Sequence, residues 1–129
     1  PNSELQVRDW TGHRIPMHAV PSGHIVLAFD NEIAKRVMAS PLRSFTPQTI
    51  TTAAALRRRL ASVRTTGYAW CLREFAPEMN SVAAAIRAAD GTVLAVLHVY
   101  GPASRFPGEQ DQAELGALMK ATADNIRID

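Results

Sequence analysis

The sequence predicts an α+β domain, a mainly antiparallel sheet with helices packed on it, and three observations carry that expectation. Helical patterns dominate residues 22–64 and strand patterns residues 68–100, so the two kinds of element are segregated along the chain. Two strand-like runs flank Asp90-Gly91, a dipeptide suited to the positive-φ positions of a tight hairpin. An amphipathic stretch from Asp111 to Ile126 closes the chain with Leu115, Leu118, Met119 and Ile126 on its expected buried side.

Taken in order, Leu5 to Arg8 alternates apolar and polar residues as a short strand does, and Thr11 to Pro16 reads as a turn. Ser22 is placed to cap a helix through Ile25 to Phe29. Asp30 or Asn31 caps the next, whose inner face is Ile33, Ala34, Val37 and Met38. A loop over Pro41 to Gln48 precedes a helix from about Ala53 to Arg64, capped by Thr51 or Thr52, striped by Leu56, Leu60 and Val63, and ended by Gly67. Strands are expected over Tyr68 to Leu72, Ser81 to Ala88 and Thr92 to Tyr100, with a loop at Phe75 to Asn80 and a break at Gly101-Pro102.

At 129 residues the chain fits one domain and is too short for two. Hydrophobic residues make up 47% and charged residues 20%, which argues against disorder. The net charge of +2, from 14 basic and 12 acidic side chains, is too small and dispersed for a nucleic-acid face. A single cysteine, Cys71, excludes an internal disulfide and fits a reducing compartment. The longest apolar runs, Val82 to Ile86 among them, are five residues long and fall far short of the ~20 residues that span a bilayer. No secretory signal precedes the first elements, so the expectation is a cytoplasmic protein without membrane contact. Because the sequence opens on Pro1, residues 1–129 are expected to form one domain within a longer protein.

Phosphate-cradling G-x-x-x-x-G-K-[ST], H-E-x-x-H, G-x-S-x-G and C-x-x-C are all absent, which removes the enzymes built on them. His18 reads as a buried imidazole bonded to backbone or as a ligand contact, and His13 and His24 as surface or helix-start residues. His18, His24, Cys71 and His98 are residue types that suit zinc, yet none has a recognised ligand spacing, and no metal or other cofactor is expected. Arg57-Arg58-Arg59 fans over roughly 200° of a helix and reads as a solvated surface. Cys71 has no obvious basic activator and reads as an inert buried thiol.

The positive argument for a site lies at Val20 to His24. A helix start presents free N–H groups and the positive end of the helix dipole, which favours a carboxylate or another small anion. Gly23 would let a ligand approach the backbone, and Gly23→Val is expected to block it without emptying the core. His98 and Tyr100 leave one face of their strand, where protein groups or a ligand must satisfy them. With Ser81 on the neighbouring strand they can complete a small polar-lined pocket.

At these residues the chain resembles the effector domain of isocitrate-lyase-regulator (IclR-type) transcription factors, from about Leu5 to Ile126. The resemblance is carried by Pro16-Met17-His18-Ala19 with Gly23, by Phe45 to Thr51, and by Val63 to Ala69. Ala83 to Arg87 before Asp90-Gly91, and Gly101 to Arg105, continue it. Each piece is loose alone, and their order makes them specific. The resemblance implies a GAF-like α+β domain that binds a small organic acid and pairs subunits into a homo-dimer or tetramer. It implies no enzyme activity, and DNA contact only through an N-terminal winged helix-turn-helix outside this sequence. The first strands and helix of the effector domain would also lie before Pro1. Matched residue by residue, the effector site would comprise Pro21, Ser22, Gly23, Cys71, Met79, Ser81, His98 and Tyr100.

The sequence departs from the family pattern at three places. An acidic cluster after Gly67-Tyr68 is reduced to Glu74, a lysine after the helix-start glycine becomes His24, and small hydroxyl residues give way to His98 and Tyr100. Losing an acid while gaining an imidazole and a phenol suits an anionic, aromatic acid. A GAF-like enzyme acting on a small metabolite, and a pure dimerisation domain whose pocket is filled by His98 and Tyr100, are the competing functions.

Overall fold

The structure is a computed structural model that describes residues 15–128, so the expected strand at Leu5 to Arg8 and the histidine His13 lie outside the described residues. Four helices are described, α1 (Pro21–Phe29), α2 (Asn31–Met38), α3 (Ala53–Thr66) and α4 (Gln112–Asp124). Three strands, β1 (Tyr68–Leu72), β2 (Met79–Arg87) and β3 (Val93–Pro102), form an antiparallel sheet in the order β1-β2-β3. The α+β expectation is met.

Capping explains most boundaries. Asp30 accepts the Ile33 N–H at 3.1 Å to start α2, Thr52 accepts that of Ala55 at 3.2 Å to start α3, and Asp111 accepts that of Glu114 at 3.0 Å to start α4. Gly67 ends α3 at φ 82°, a left-handed conformation that costs glycine little. Helix α1 departs from expectation. Its N-cap is Val20, which has no side-chain cap bond, and Pro21 opens the helix. Proline is preset for that position and lacks a donor to be left unpaired, so Ser22 falls inside the first turn and does not cap it.

The central strand β2 is buried on both faces. Ala83 and Ala85 join Ala69 against Ile25, Leu27, Leu56, Leu60 and Val63 of α1 and α3. Val82, Ala84 and Ile86 meet Met119 and Ala123 of α4 on the other side, with Tyr68, Trp70, Leu97 and Phe106 around them. Alternation along each strand therefore gives the sheet an α1/α3 face and an α4 face.

Two strand limits differ from the sequence expectation. β2 begins at Met79 and β3 runs through Gly101-Pro102, because Met79 pairs with Pro102 and Asn80 with Gly101. Pro102 is the last residue of a strand paired only with β2 among the described residues, a position where its missing N–H does little harm. The buried stripe of α4 is also displaced. Gly116, Met119 and Ala123 face the sheet, whereas Leu118 is 61% exposed and Ile126 is also exposed. The Tyr68 ring lies where a Cβ on Gly116 would be, so α4 docks through its smallest residue.

Candidate functional site

The α1/α3 face of the sheet gathers five of the expected site residues. Cys71, Ser81 and Tyr100 are aligned across β1, β2 and β3 by the strand register. Met79 precedes Ser81 by two positions and shares its face, and His98 pairs with Ala83 on that face. The His98 and Tyr100 rings stand 5.7 Å apart. Tyr100 is 52% exposed, so it does not plug a closed cavity. His98 is an exposed residue, yet partial burial of its ring lowers its pKa and favours the neutral imidazole.

Helix α1 packs against this face from above, touching all three strands. Pro21 and Gly23 are buried and Ser22 is half-buried. The His24 N–H is already bonded to Val20 O at 3.1 Å, so it is not available to an anion. The Ser22 and Gly23 N–H groups make no bond among the described residues, which leaves these two as the donors of the helix start. Gly23 has a structural reason as well. A Cβ there would lie 2.2 Å from Met17 O, so Met17 backbone, rather than a ligand, occupies the space beside it. Gly23→Val therefore cannot be the clean block to ligand approach expected from the sequence.

Beneath α1 lies a buried polar cluster that the sequence did not reveal. His24 is fully buried rather than at the surface, and its Nε2 donates to His18 O at 2.7 Å. Burial drives its pKa down to about 4, opposed by that hydrogen bond and assisted by the charge of Arg59. His24 Nδ1 faces Cys71 Sγ at 3.5 Å. Burial, reinforced by the charge of Glu74, pushes the Cys71 thiol well above its usual range and favours its protonated form, and the thiol is buried as expected. His18 likewise fits its buried alternative, with Nε2 2.8 Å from Arg43 O.

Arg59 turns inward, unlike exposed Arg57 and Arg58, which corrects the solvated-surface expectation for the third arginine. Its two terminal nitrogens donate to the Glu74 carboxylate at 3.0 and 3.2 Å, and Nη1 also donates to Trp70 O at 3.0 Å. Burial would lower the Arg59 pKa, but its hydrogen bond with Glu74 and the charge of that carboxylate hold it above the ordinary value. Glu74 is held in turn. Its Oε2 accepts the Leu72 N–H at 3.2 Å, and Thr49 Oγ1 donates to its carbonyl at 2.6 Å. Thr46 Oγ1 donates to Arg73 O at 2.5 Å, supporting the left-handed Arg73 at φ 56°. The Phe45 to Thr51 loop thus staples the turn after β1. A partner fifteen residues downstream leaves no local pattern, so Arg59 and Glu74 were not legible as a pair.

These features define an α+β domain in which a helix start and a polar row share one sheet face. The family described as bacterial transcriptional regulator IclR C-terminal matches residues 1–128, and the chain belongs to that family. The chain is similar to the HTH-type transcriptional repressor AllR of Klebsiella pneumoniae, 32% identical over 117 residues that cover 89% of this chain and 43% of the relative. The AllR of Escherichia coli K12 is 30% identical over the same shares. The chain thus spans less than half the length of these curated relatives. Among solved structures, an IclR-type regulator from a Silicibacter species is 32% identical with a TM-score of 0.75, covering 92% of this chain and 46% of that one. An IclR homologue from Microbacterium hydrocarbonoxydans, solved in complex with 4-hydroxybenzoate, is 27% identical with a TM-score of 0.72, over 91% and 47%. The domain is that of a transcription-regulator family and not of an enzyme family. No described helix is long and apolar enough to cross a membrane.

Proposed function

We propose that this chain senses a small organic acid on the α1/α3 face of its sheet and pairs subunits of a regulator whose DNA-reading module lies elsewhere in a longer protein. The carrying observation is the alignment of Cys71, Ser81 and Tyr100 across three strands packed by a helix whose first N–H donors make no bond among the described residues. The Ser22 and Gly23 N–H groups would hold a carboxylate, aided by the helix dipole. Met79, Ser81, His98 and Tyr100 would meet the rest of the acid, with Pro21 and Cys71 closing the buried side. The bound 4-hydroxybenzoate of the Microbacterium homologue supports the chemical class, since an aromatic acid suits a neutral imidazole and a phenol. The half-exposed Tyr100 favours this reading over a filled, ligand-free interface.

Effector binding would act by linkage, favouring one arrangement of the paired subunits over another and so the presentation of their DNA-binding modules. A cytoplasmic homo-dimer or tetramer follows from that role. A thermal-shift series with aliphatic and aromatic carboxylates tests the reading. A true effector at 100 times its Kd stabilises the fold by about 2.7 kcal/mol. Uniform melting temperatures across the series, with no carboxylate bound in calorimetry, would overturn it.

A further inference from the structure

His24, Cys71 and Glu74 come together beneath α1, each buried, with one ligand-capable atom from each within 4.8 Å of the others. The hydrogen bond from His24 Nε2 to His18 O fixes the tautomer that leaves Nδ1 with its lone pair, and supplies the outer-shell partner that metal-bound imidazoles use. That lone pair stands 3.5 Å from Cys71 Sγ. Tetrahedral zinc, with bonds of about 2.0 Å to nitrogen and 2.3 Å to sulfur, holds such a pair roughly 3.5 Å apart. The Glu74 carboxylate is the third donor.

A cation is already among them. Arg59 Nη1 lies 3.5 Å from His24 Nδ1, 3.9 Å from Cys71 Sγ and 3.0 Å from Glu74 Oε1. Its side chain is 29% exposed and borders a crevice of about 260 Å³ lined by Ser62, Thr66 and Gln112, so the guanidinium has a way out to water. We infer that His24, Cys71 and Glu74 form a site for a thiophilic divalent cation of the zinc class, which enters by displacing Arg59.

The charges balance on both sides of that exchange. With Arg59 in place, one guanidinium faces one carboxylate and a neutral thiol. With the metal in place, a 2+ ion faces a carboxylate and a thiolate, and the thiol proton leaves to solvent. The buried site is neutral in either state, which avoids the cost of an uncompensated interior charge. Water completes the fourth position, as in zinc sites with three protein ligands. This departs from the expectation of no metal, and its test requires no organic acid, although Cys71 also borders the proposed effector face.

Cobalt(II) added to the chelator-treated, reduced chain tests the inference, because a tetrahedral cobalt–thiolate centre has distinct near-ultraviolet and visible absorption. The parent is expected to show the thiolate-to-cobalt band with one cobalt per chain, and zinc to abolish it. Arg59→Gln, which removes the competing cation, is expected to bind at least tenfold more tightly. His24→Gln keeps a donor for His18 O but lacks the Nδ1 ligand, and is expected to bind at least tenfold more weakly. Melting curves establish that both variants are folded. No thiolate band in the folded parent and in Arg59→Gln would overturn the site. So would affinity unchanged in His24→Gln, which would mean an isolated thiol, or affinity not raised in Arg59→Gln, which would mean that this residue is not what the metal replaces.

Discussion

Gly23→Ala is the sharpest structural test of how α1 is seated. The added Cβ would meet three backbone atoms of Met17, the carbonyl oxygen at 2.2 Å, Cα at 2.5 Å and the carbonyl carbon at 2.7 Å. Backbone has no rotamer to escape into, so α1 and the preceding turn must separate by about 1 Å, the distance to ordinary van der Waals contact. Overpacking costs about 1–3 kcal/mol, and a forced backbone shift belongs at the upper end. The backbone-entropy gain of alanine over glycine in a helix returns at most about 1 kcal/mol. A net loss of about 2 kcal/mol lowers the melting temperature by roughly 8 °C in a domain of this size. Gly116→Ala is the control. Its Cβ would lie 2.5 Å from Tyr68, but that neighbour is a side-chain ring, which can shift. Urea and thermal unfolding of both variants decide the matter. A Gly23→Ala protein that melts within about 2 °C of the parent, or that is more stable than Gly116→Ala, would refute the claim that Met17 backbone occupies this space.

Replacing His98 and Tyr100 together by Ser should weaken the effector more than tenfold, about 1.4 kcal/mol, while the fold keeps most of its stability; titration calorimetry beside a melt distinguishes the two. Val99 lies on the α4 face, so Val99→Ala should leave effector affinity within twofold. Glu74→Ala strands a partly buried Arg59 and the Leu72 N–H, and should cost about 2 kcal/mol in urea unfolding, below the range for fully buried pairs because Arg59 can reach water. His24, with Arg59, Cys71, Glu74 and His18 around it, has a folded pKa of about 4 against 6.5 unfolded. The unfolded chain therefore binds the extra proton first, and stability falls as pH drops from 6.5 towards 4, by up to about 3 kcal/mol. In chelator, His24→Gln should flatten that slope, and an unchanged slope would exclude His24 as its source. Finally, the chain alone should give no sequence-specific gel shift, as its net charge of +2 implies.

Local chemistry was legible in the sequence wherever a boundary is set by one residue. Asp30, Thr52, Gly67 and the Asp90-Gly91 turn act through their own backbone and side-chain bonds, and each stands where expected. The stripe of α3 was readable for the same reason, since Leu56, Leu60 and Val63 follow helical spacing onto the sheet. The stripe of α4 was not, because docking there is decided by how closely the backbone can approach Tyr68, and Gly116 carries no hydrophobic signal. The shared face of Cys71, Ser81 and Tyr100 needs the strand register, which alternation alone does not supply. His24 and Arg59 misled for a related reason. A polar side chain reads as exposed until the distant groups that satisfy it, His18 O and Glu74, are known.

The alanines of β2 separate two properties that many binding domains must trade. Ala83 and Ala85 present only methyl groups to the α1/α3 face, so the central strand sets the height of α1 above the sheet and contributes little to the shape of what lies between. That shape is left to the flanking strands, to Cys71 on one side and to His98 and Tyr100 on the other. The His98 and Tyr100 side chains are exposed and belong to neither core cluster, so exchanging them leaves those clusters intact. A domain built this way can change the molecule to which it responds through one strand, while the layer that holds it together stays as it was.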